Sequence, residues 1–417
     1  MKKKKVLILG ANPETVSLIK RAKEMGLYTI VTDNNPNAYA KAFADKSYNI
    51  NAVNVGELVK LAQKENVDGI LVGVAESLLP TYCELCEKLN MPCYSTIDKF
   101  EIMINKKFFK DKCREYGVPT IDEYTIDQIN EIVYPVIVKP VDSCSSKGIS
   151  ICFNEKELLE GIEHALDFSN AKKYIIEKYM SGDEVISYYV IQEGEPIFVG
   201  MCDRYTYKQN DTVQLPNSYI FPSRHIDSYI KYSDEKVKNM IKGIGLENGS
   251  IFFQCFVDKK GIVRTYEPGY RLNGAQEHLI VSKVSGIDAL KMYINLSLTG
   301  KVSNEDLKLL SNPKPKQISC KLSPLIKIGI IGKISGLEEI ANFEDVVSIN
   351  PSYNNGDIVD GYGTLKQIVC RFFIVSNSKE QLIHNIDRIY DLLKVEDING
   401  KNMLIGKFDS SIIDELY

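Results

Sequence analysis

The first hundred residues alternate short apolar runs with amphipathic segments, and this alternation leaves few folds open. Lys5-Val-Leu-Ile-Leu-Gly10 reads as a buried strand. Asn12-Pro13 follows as an N-cap with proline at the first helical position. Leu18, Ala22 and Met25 mark one helix face, and Gly26 stops the helix. A second strand is predicted over Tyr28–Thr32, ending at Asp33, then a helix over 55–64 and a strand over 69–74. Strand–helix–strand connections this short require a parallel sheet with helices on both faces. Residues 1–99 are therefore expected to be Rossmann-like. Gly10-Ala11-Asn12 carries one glycine of the G-x-G-x-x-G fingerprint, so a tight turn is expected there and no NAD site.

Composition narrows the class of molecule. A chain of 417 residues suggests two or three domains at roughly 150 residues each. With 44% apolar and 25% charged residues, the chain has enough apolar surface to build cores. The net charge of −4 comes without a basic stripe, so nucleic acid is not an expected partner. No apolar run approaches the roughly 18 residues of a membrane span. Four lysines at the N-terminus precede an apolar stretch, Val6 to Leu9, too short for a signal peptide. The expected location is the cytoplasm, with no membrane partner. Ten scattered cysteines suit a reducing compartment, and Cys152, Cys255 and Cys370 lie in apolar strand-like runs. Cys83-x-x-Cys86 falls in a predicted helix, where buried thiols are expected rather than a metal site. The four histidines form no ligand pattern.

Beyond residue 100 the pattern changes. A helix is predicted over 100–116, then Gly117-Val-Pro119, then strands over 134–139 and 174–177 flanking a polar loop, with a helix at 156–166 between them. An amphipathic helix over 233–244 precedes a hairpin over 251–267. Pro313 and Pro315, in a lysine-rich stretch, read as a linker. The remainder, 313–417, is expected to be a small α+β domain with strands over 325–331 and 367–375 and a helix opening at Ser378, where Gln381 gives capping-box spacing.

Five features carry chemistry. A four-residue loop at Asp258-Lys-Lys-Gly261 would pair Val257 with Ile262 and Gln254 with Thr265, leaving Glu267 a diagonal neighbour of Gln254 at roughly 7–8 Å. Two oxygen-bearing side chains on one sheet face, with Arg271 just beyond, suit Mg²⁺; a solvent-exposed hairpin face is an equal alternative. Tyr134-Pro-Val-Ile-Val-Lys139-Pro140 ends an apolar strand in a lysine, whose burial requires an anionic partner. Asp142-Ser-Cys-Ser-Ser-Lys147-Gly148 is a small-residue loop whose amides suit phosphate. Glu177 and Glu184 stand seven residues apart around a turn, and Asn105-Lys106-Lys107 lies on a helix.

In this order the set resembles the ATP-grasp superfamily of carboxylate–amine ligases over about residues 5 to 300, with spacing similar to the carbamoyl-phosphate synthetase large chain. The run Glu267-x-x-x-Arg271-Leu-x-Gly274 also resembles L-amino acid ligases. The resemblance implies a Rossmann-like parallel sheet (1–99), an ATP-grasp domain (100–312) with a mobile lid at about 119–181, and the small α+β domain (313–417). It implies that Lys106 and Lys139 contact ATP phosphates and that the 142–148 loop, with Ser145, Ser146 and Gly148, closes over them. Glu177 and the backbone of Lys178, Tyr179 and Met180 would meet the adenine, and Glu184 the ribose. Gln254 and Glu267 would hold Mg²⁺ (or Mn²⁺), and Arg271 would face the transferred phosphate. A carboxylate and an amine are the implied small-molecule substrates, and a homodimer is one expected assembly.

Departures from the family pattern set the alternatives. Many relatives have Glu-x-Asn-Pro-Arg where this chain has Glu267-Pro-Gly269-Tyr-Arg271, so the usual asparagine ligand is missing. That change motivates a rival expectation, an ATP-binding regulatory protein without turnover. Among enzymes, phosphoribosylglycinamide synthetase-like and biotin carboxylase-like readings are the alternatives; no lysine sits in a Met-Lys-Met context, and the Gly10 loop lacks a Gly-Gly-Arg-Glu-His run. Carbamoyl-phosphate synthesis would require a duplicated large chain, of which this sequence has one copy. Arg204, Lys208, His225, Asn273 and His278 lie where an acceptor site is expected, although ordinary polar roles account for each.

Overall fold

The computed structural model describes residues 3–142, 147–209 and 214–417. Strands β1 (Lys5–Leu9), β2 (Tyr28–Thr32), β3 (Lys46–Tyr48) and β4 (Gly69–Val72) form a parallel sheet in the order β3-β2-β1-β4. Val6, Leu7 and Ile8 are fully buried, as a continuous apolar run covered on both faces must be. Helices α1 (Thr15–Glu24), α2 (Val55–Glu65) and α3 (Leu79–Leu89) complete the Rossmann-like unit. Cys86 is buried on α3 and Cys83 half-buried. One local expectation is corrected: α1 opens at Thr15, because the Asn12 and Pro13 carbonyls accept from the Thr15 and Val16 amides in a turn. Pro13 therefore lies ahead of the helix.

The helix expected over 100–116 is two helices, α4 (Ile97–Ile104) and α5 (Lys106–Glu115). Asn105 between them is extended (φ −81°, ψ 113°), and its side chain accepts from the amides of Lys107 and Phe108. An asparagine that bonds the following amides opens a new helix rather than continuing an old one. Lys106 thus begins α5.

A small antiparallel sheet follows, β5 (Glu123–Tyr124), β6 (Val136–Pro140), β7 (Ser150–Cys152) and β8 (Tyr174–Lys178), ordered β5-β8-β6-β7, with α6 (Glu155–Phe168) across it. This unit has its own core of Ile132, Val136, Val138, Cys152, Leu158 and Ile176. Both of its ends are rooted on one hairpin. The Pro119 carbonyl accepts from Thr265 N–H at 2.8 Å, and the Asp183 carbonyl from Val257 N–H at 2.9 Å.

That hairpin, β12 (Gly249–Val257) and β13 (Val263–Gly269), ends an eight-stranded antiparallel sheet with β9 (Glu184–Gln192), β10 (Glu195–Lys208), β11 (Gln214–Phe221) and β14 (Ile318–Leu322). Short strands β15 (Leu325–Ile326), β16 (Gly329–Ser335) and β18 (Ile358–Val359) leave the sheet, whereas β17 (Val346–Pro351) and β19 (Cys370–Ser376) complete its far edge, in the order β13-β12-β9-β10-β11-β14-β19-β17. The sheet therefore runs through the linker boundary expected at 313, and the C-terminal unit shares it. Helices α7 (Ile226–Tyr229) and α8 (Glu235–Ile244) lie between β11 and β12, α9 (His278–Ser285) follows β13, and Met240 and Ile241 on α8 are fully buried. In the C-terminal unit the Ser378 side chain accepts from Gln381 N–H, as the capping spacing predicts.

Candidate active site

The hairpin register differs from the sequence expectation in a way that sharpens the site. Val257 pairs with Val263, and the ladder then slips between Gln254 and Cys255, so that Gln254 stands directly opposite Glu267. Tyr266 is the extra residue of this bulge, and its hydroxyl donates to the Gln254 side-chain oxygen at 3.1 Å. Phe253 and Cys255 on the other face are fully buried and anchor the strand. Bulges of this kind re-aim side chains beside active sites.

Cations gather around this pair. Lys106 is 7% exposed, and its ammonium lies 3.5 Å from Glu267 Oε1. The Lys139 ammonium, 5% exposed, sits 5.7 Å above the Tyr266 ring and 2.6 Å from Glu177 Oε2. Glu177 is almost wholly buried, and its other oxygen lies 2.5 Å from Lys110, itself fully buried. Burial opposes ionisation of Glu177, but Lys139 and Lys110 overcome it and hold the carboxyl below its ordinary range. The anionic partner that Lys139 requires is thus Glu177. Both carboxylate oxygens are committed to lysines, which replaces the adenine contact that the resemblance implied for this side chain. Two of the backbone amides assigned to adenine are also engaged, Lys178 N–H with the Asp122 carbonyl and Tyr179 N–H with that of Pro135; Met180 lies beside them, half-buried.

Arg271 lies 5.3 Å over the Phe252 ring, with its Nε 3.3 Å from Glu76 Oε2. Burial, reinforced by the nearby Glu267 charge, raises the Glu76 carboxyl above its ordinary value, against the pull of Arg271 and Lys106. Glu76 comes from the loop after β4 and completes the cluster from the Rossmann-like side. Sequence reasoning missed it, although the carboxyl ends of parallel strands are where such groups collect. Lys110 was also missed, although it lies one turn beyond Lys106 on the same face of α5. Gly269 faces Phe252 in the ladder, and a Cβ at this position would overlap the Phe252 ring. The asparagine of other family members has no room here.

The remaining expected residues divide. Glu184 is paired with Arg204 across β9 and β10. Gly148 holds a φ of +72° against Pro140 and Phe168, with Cβ room of only 2.7 Å to Phe168. Ser145 and Ser146 lie outside the described residues. Asn273 and His278 line a cavity with Arg271, Tyr188 and Phe252. His225 instead binds Asp183 at 2.9 Å, at the root of the small sheet. Lys208 ends β10, next to undescribed residues.

The donor set fits magnesium. Glu267 offers a carboxylate about one-third exposed, and Gln254 an amide oxygen oriented by Tyr266. Mg²⁺ takes one or two protein oxygens and fills its remaining positions with phosphate and water. Among the described residues no group of three or more His, Cys, Asp or Glu could hold a metal ion.

A buried lysine pair locked on a carboxylate, a cation-flanked Gln–Glu hairpin and a small sheet rooted on that hairpin form the candidate site. Residues 132–274 match the family model of the ATP-grasp domain. The chain is similar to the carbamoyl phosphate synthase large chain of Clostridium beijerinckii, 22% identical over 398 residues, covering 89% of this chain and 35% of that one. The chain thus spans about a third of the length of that curated relative. Among solved structures, the L-amino acid ligase from Bacillus licheniformis superposes with a TM-score of 0.74 at 18% identity, covering 95% of this chain and 99% of its own. The biotin carboxylase domain of Hydrogenobacter thermophilus 2-oxoglutarate carboxylase, solved with MgADP, superposes with a TM-score of 0.79 at 19% identity, covering 95% and 91%. At these identities the likeness to solved structures is one of fold. No described helix is long and apolar enough to cross a membrane.

Proposed function

We propose that the protein is an ATP- and magnesium-dependent ligase that joins a carboxylate to an amine through an acyl phosphate. The observation that carries this is the set of cations beside the Gln254–Glu267 pair: Lys106 on Glu267, Lys139 over the ring of Tyr266, which bonds Gln254, and Arg271 on Glu76. Phosphoryl transfer asks little covalent chemistry of a protein; it needs alignment and neutralisation of charge. A carboxylate oxygen attacks the γ-phosphorus, the bond to the β-phosphate oxygen breaks, and ADP leaves. An amine then attacks the acyl carbon, phosphate departs, and an amide forms with loss of a proton. Lys106 and Lys139 hold phosphate oxygens, Glu177 keeps Lys139 aimed, and Arg271 meets the charge that develops in transfer. Gln254 and Glu267 hold the magnesium, which neutralises phosphate charge when bound.

The unit of residues 119–181 acts as the lid in this proposal, because its core is separate and both its ends hang on the hairpin that carries Glu267. With the Glu177 side chain engaged by lysines, the adenine falls to backbone groups near Lys178–Met180 and the ribose to Glu184. A cytoplasmic location agrees with the lack of a spanning helix among the described residues. A homodimer is included because the biotin carboxylase domain named above is a dimer in its structure. One observation favours a second reading, an ATP-binding protein without turnover: Phe252 fills the space at Gly269. A phosphate-release screen of acids crossed with amines, beside calorimetry with ATP and Mg²⁺, tests both. ADP release with one pair supports the ligase, binding without release under every mixture supports the second reading, and absence of binding overturns both.

A further inference from the structure

Lys110 is fully buried on α5, and the transfer steps proposed above make no use of it. Its ammonium lies 2.5 Å from Glu177 Oε1 and 3.8 Å from Glu123 Oε1, and it donates to the Ile121 carbonyl at 3.3 Å. The Lys139 ammonium holds the other oxygen of the same carboxylate, Glu177 Oε2, at 2.6 Å. Glu177 comes from β8, Lys139 from β6 and Lys110 from α5, so three elements meet at one side chain. Ile176 packs with Leu158 and Ala165 of α6, and strand alternation therefore turns Glu177 to the opposite face, toward α5.

The two lysines differ in what else they hold. Lys110 is surrounded by oxygens of Ile121, Glu123 and Glu177, all from the small sheet and the segment leading into it. Among the described residues Glu177 is the anionic partner of Lys139, whose ammonium otherwise meets the Tyr266 ring at 5.7 Å. Tyr266 bonds Gln254, so Lys139 is the lysine on the side of the Gln254–Glu267 pair. Glu123 stands directly opposite Glu177 in the ladder and is matched by Arg114 at 2.5 Å. The charged groups around Glu177 are thus Lys110 with Arg114 from α5, Glu123 from β5 and Lys139 from β6. Two ammoniums on one carboxylate leave a surplus positive charge in a buried place, and a phosphate oxygen would supply the missing anion. A buried carboxylate without a cation is costly. Had Glu177 only Lys139, moving that lysine to phosphate would strand it.

We propose that Lys110 is the standing counter-charge of Glu177, which lets Lys139 pass from that carboxylate to a phosphate oxygen when ATP binds and return when the nucleotide leaves. No covalent bond changes and no proton moves, because the second oxygen of Glu177 stays on Lys110 throughout. Lys110 is a positioning residue, acting on ATP through Lys139. This rests on the ATP-binding part of the ligase reading and gives a role to the buried lysine which that reading leaves unused.

Calorimetry of the full chain with ATP and Mg²⁺ near pH 8, repeated in buffers of different ionisation enthalpy, reads affinity and proton uptake together. The wild-type protein should bind without proton uptake. Lys110→Met leaves Lys139 as the one partner of Glu177, so ATP binding should weaken about tenfold or more and take up roughly one proton as the stranded carboxylate neutralises. The loss should shrink as pH falls. Lys110→Arg, which keeps the charge, should bind more tightly than Lys110→Met and without proton uptake, and Glu177→Gln added to Lys110→Met should recover most of the affinity. Unchanged affinity in Lys110→Met, or a loss without proton uptake, overturns the proposal; the second result is what a merely structural lysine gives. Melting temperatures without nucleotide test the same counter-charge. Lys139→Met imitates the departed lysine and should melt close to wild type, whereas Lys139→Met with Lys110→Met should lose far more than the two single losses together, and Glu177→Gln in that background should restore it. Additive losses overturn the role of Lys110. Where Lys110→Met does not fold alone, Lys139→Met still decides, since a collapse of its melting temperature shows that Lys110 cannot hold Glu177. Absence of ATP binding by the wild-type protein would overturn the ligase reading and the exchange with it, while the melting comparison separately tests the Lys110–Glu177 pair.

Discussion

Lys106 on α5 and Glu267 on β13 lie 3.5 Å apart, and this contact ties the start of a helix to the end of the hairpin on which the small sheet is rooted. Lys106 is held in place by the backbone as well, since its amide donates to the Val141 carbonyl at 3.1 Å. The geometry gives Glu267 two neighbours of opposite chemistry, a lysine and the Gln254 oxygen across the ladder. A carboxylate so placed can bind a metal while the ammonium meets phosphate.

Glu267→Ala is expected to abolish ADP release while changing the melting temperature little. The side chain is one-third exposed, and the hairpin packs through Ile251, Phe253, Cys255 and Val263 on its other face. Glu267→Gln should keep the shape but lose metal-dependent turnover. Near-normal ADP release by the alanine variant would mean that the metal is held elsewhere.

Removing Glu177 should instead unfold the site. Its loss leaves Lys139 and Lys110 buried without their shared anion, which costs about 3–5 kcal/mol. The carboxyl is held below its usual range, so its contribution is present at neutral pH and is lost as pH falls through that lowered value. Urea melts of Glu177→Ala at neutral pH check the magnitude, and a loss no larger than that of an exposed glutamate would refute it.

Arg271→Ala should lower turnover more than it weakens ATP binding, if the guanidinium meets charge that arises only in transfer. Glu76→Gln should act in the same direction and more weakly, because Glu76 positions Arg271 from 3.3 Å. Steady-state ADP release set beside ATP calorimetry separates the two effects. Equal losses in both would make Arg271 a ground-state phosphate ligand.

Restoring the family asparagine should fail. Gly269→Asn meets the Phe252 ring and is expected to destabilise the fold by about 1–3 kcal/mol. The double variant with Phe252→Ala should be less destabilised than the sum of the two single changes, since the residues face each other in the ladder. Additive losses in thermal melts would show that the crowding is relieved in another way.

His278 gives the chain a pH dependence of predictable sign. Burial lowers its pKa from 6.5 to about 4, so between these values the unfolded chain binds the proton that the folded chain refuses. Stability should fall as pH drops from about 6.5 toward 4, and His278→Leu should flatten that part of the curve. Parallel slopes for the two proteins would assign the effect to other groups.

What the sequence determined by itself is local. The run at residues 5–9, with its apolar side chains on both faces, required a covered parallel strand, and the Ser378–Gln381 spacing set a helix start. The order of Lys106, Lys139, Gln254, Glu267 and Arg271 along the chain was enough to carry the resemblance to the ATP-grasp superfamily. Three relationships needed the tertiary structure. A bulge at Tyr266 put Glu267 directly opposite Gln254, and a slip of one residue in a ladder is set by packing on both faces rather than by the turn. The two lysines on Glu177 come from α5 and β6, and Glu76 reaches Arg271 across 195 positions of chain. Periodicity and caps act between neighbours in the chain, whereas the energy of a buried charge depends on what the fold brings within a few ångströms of it.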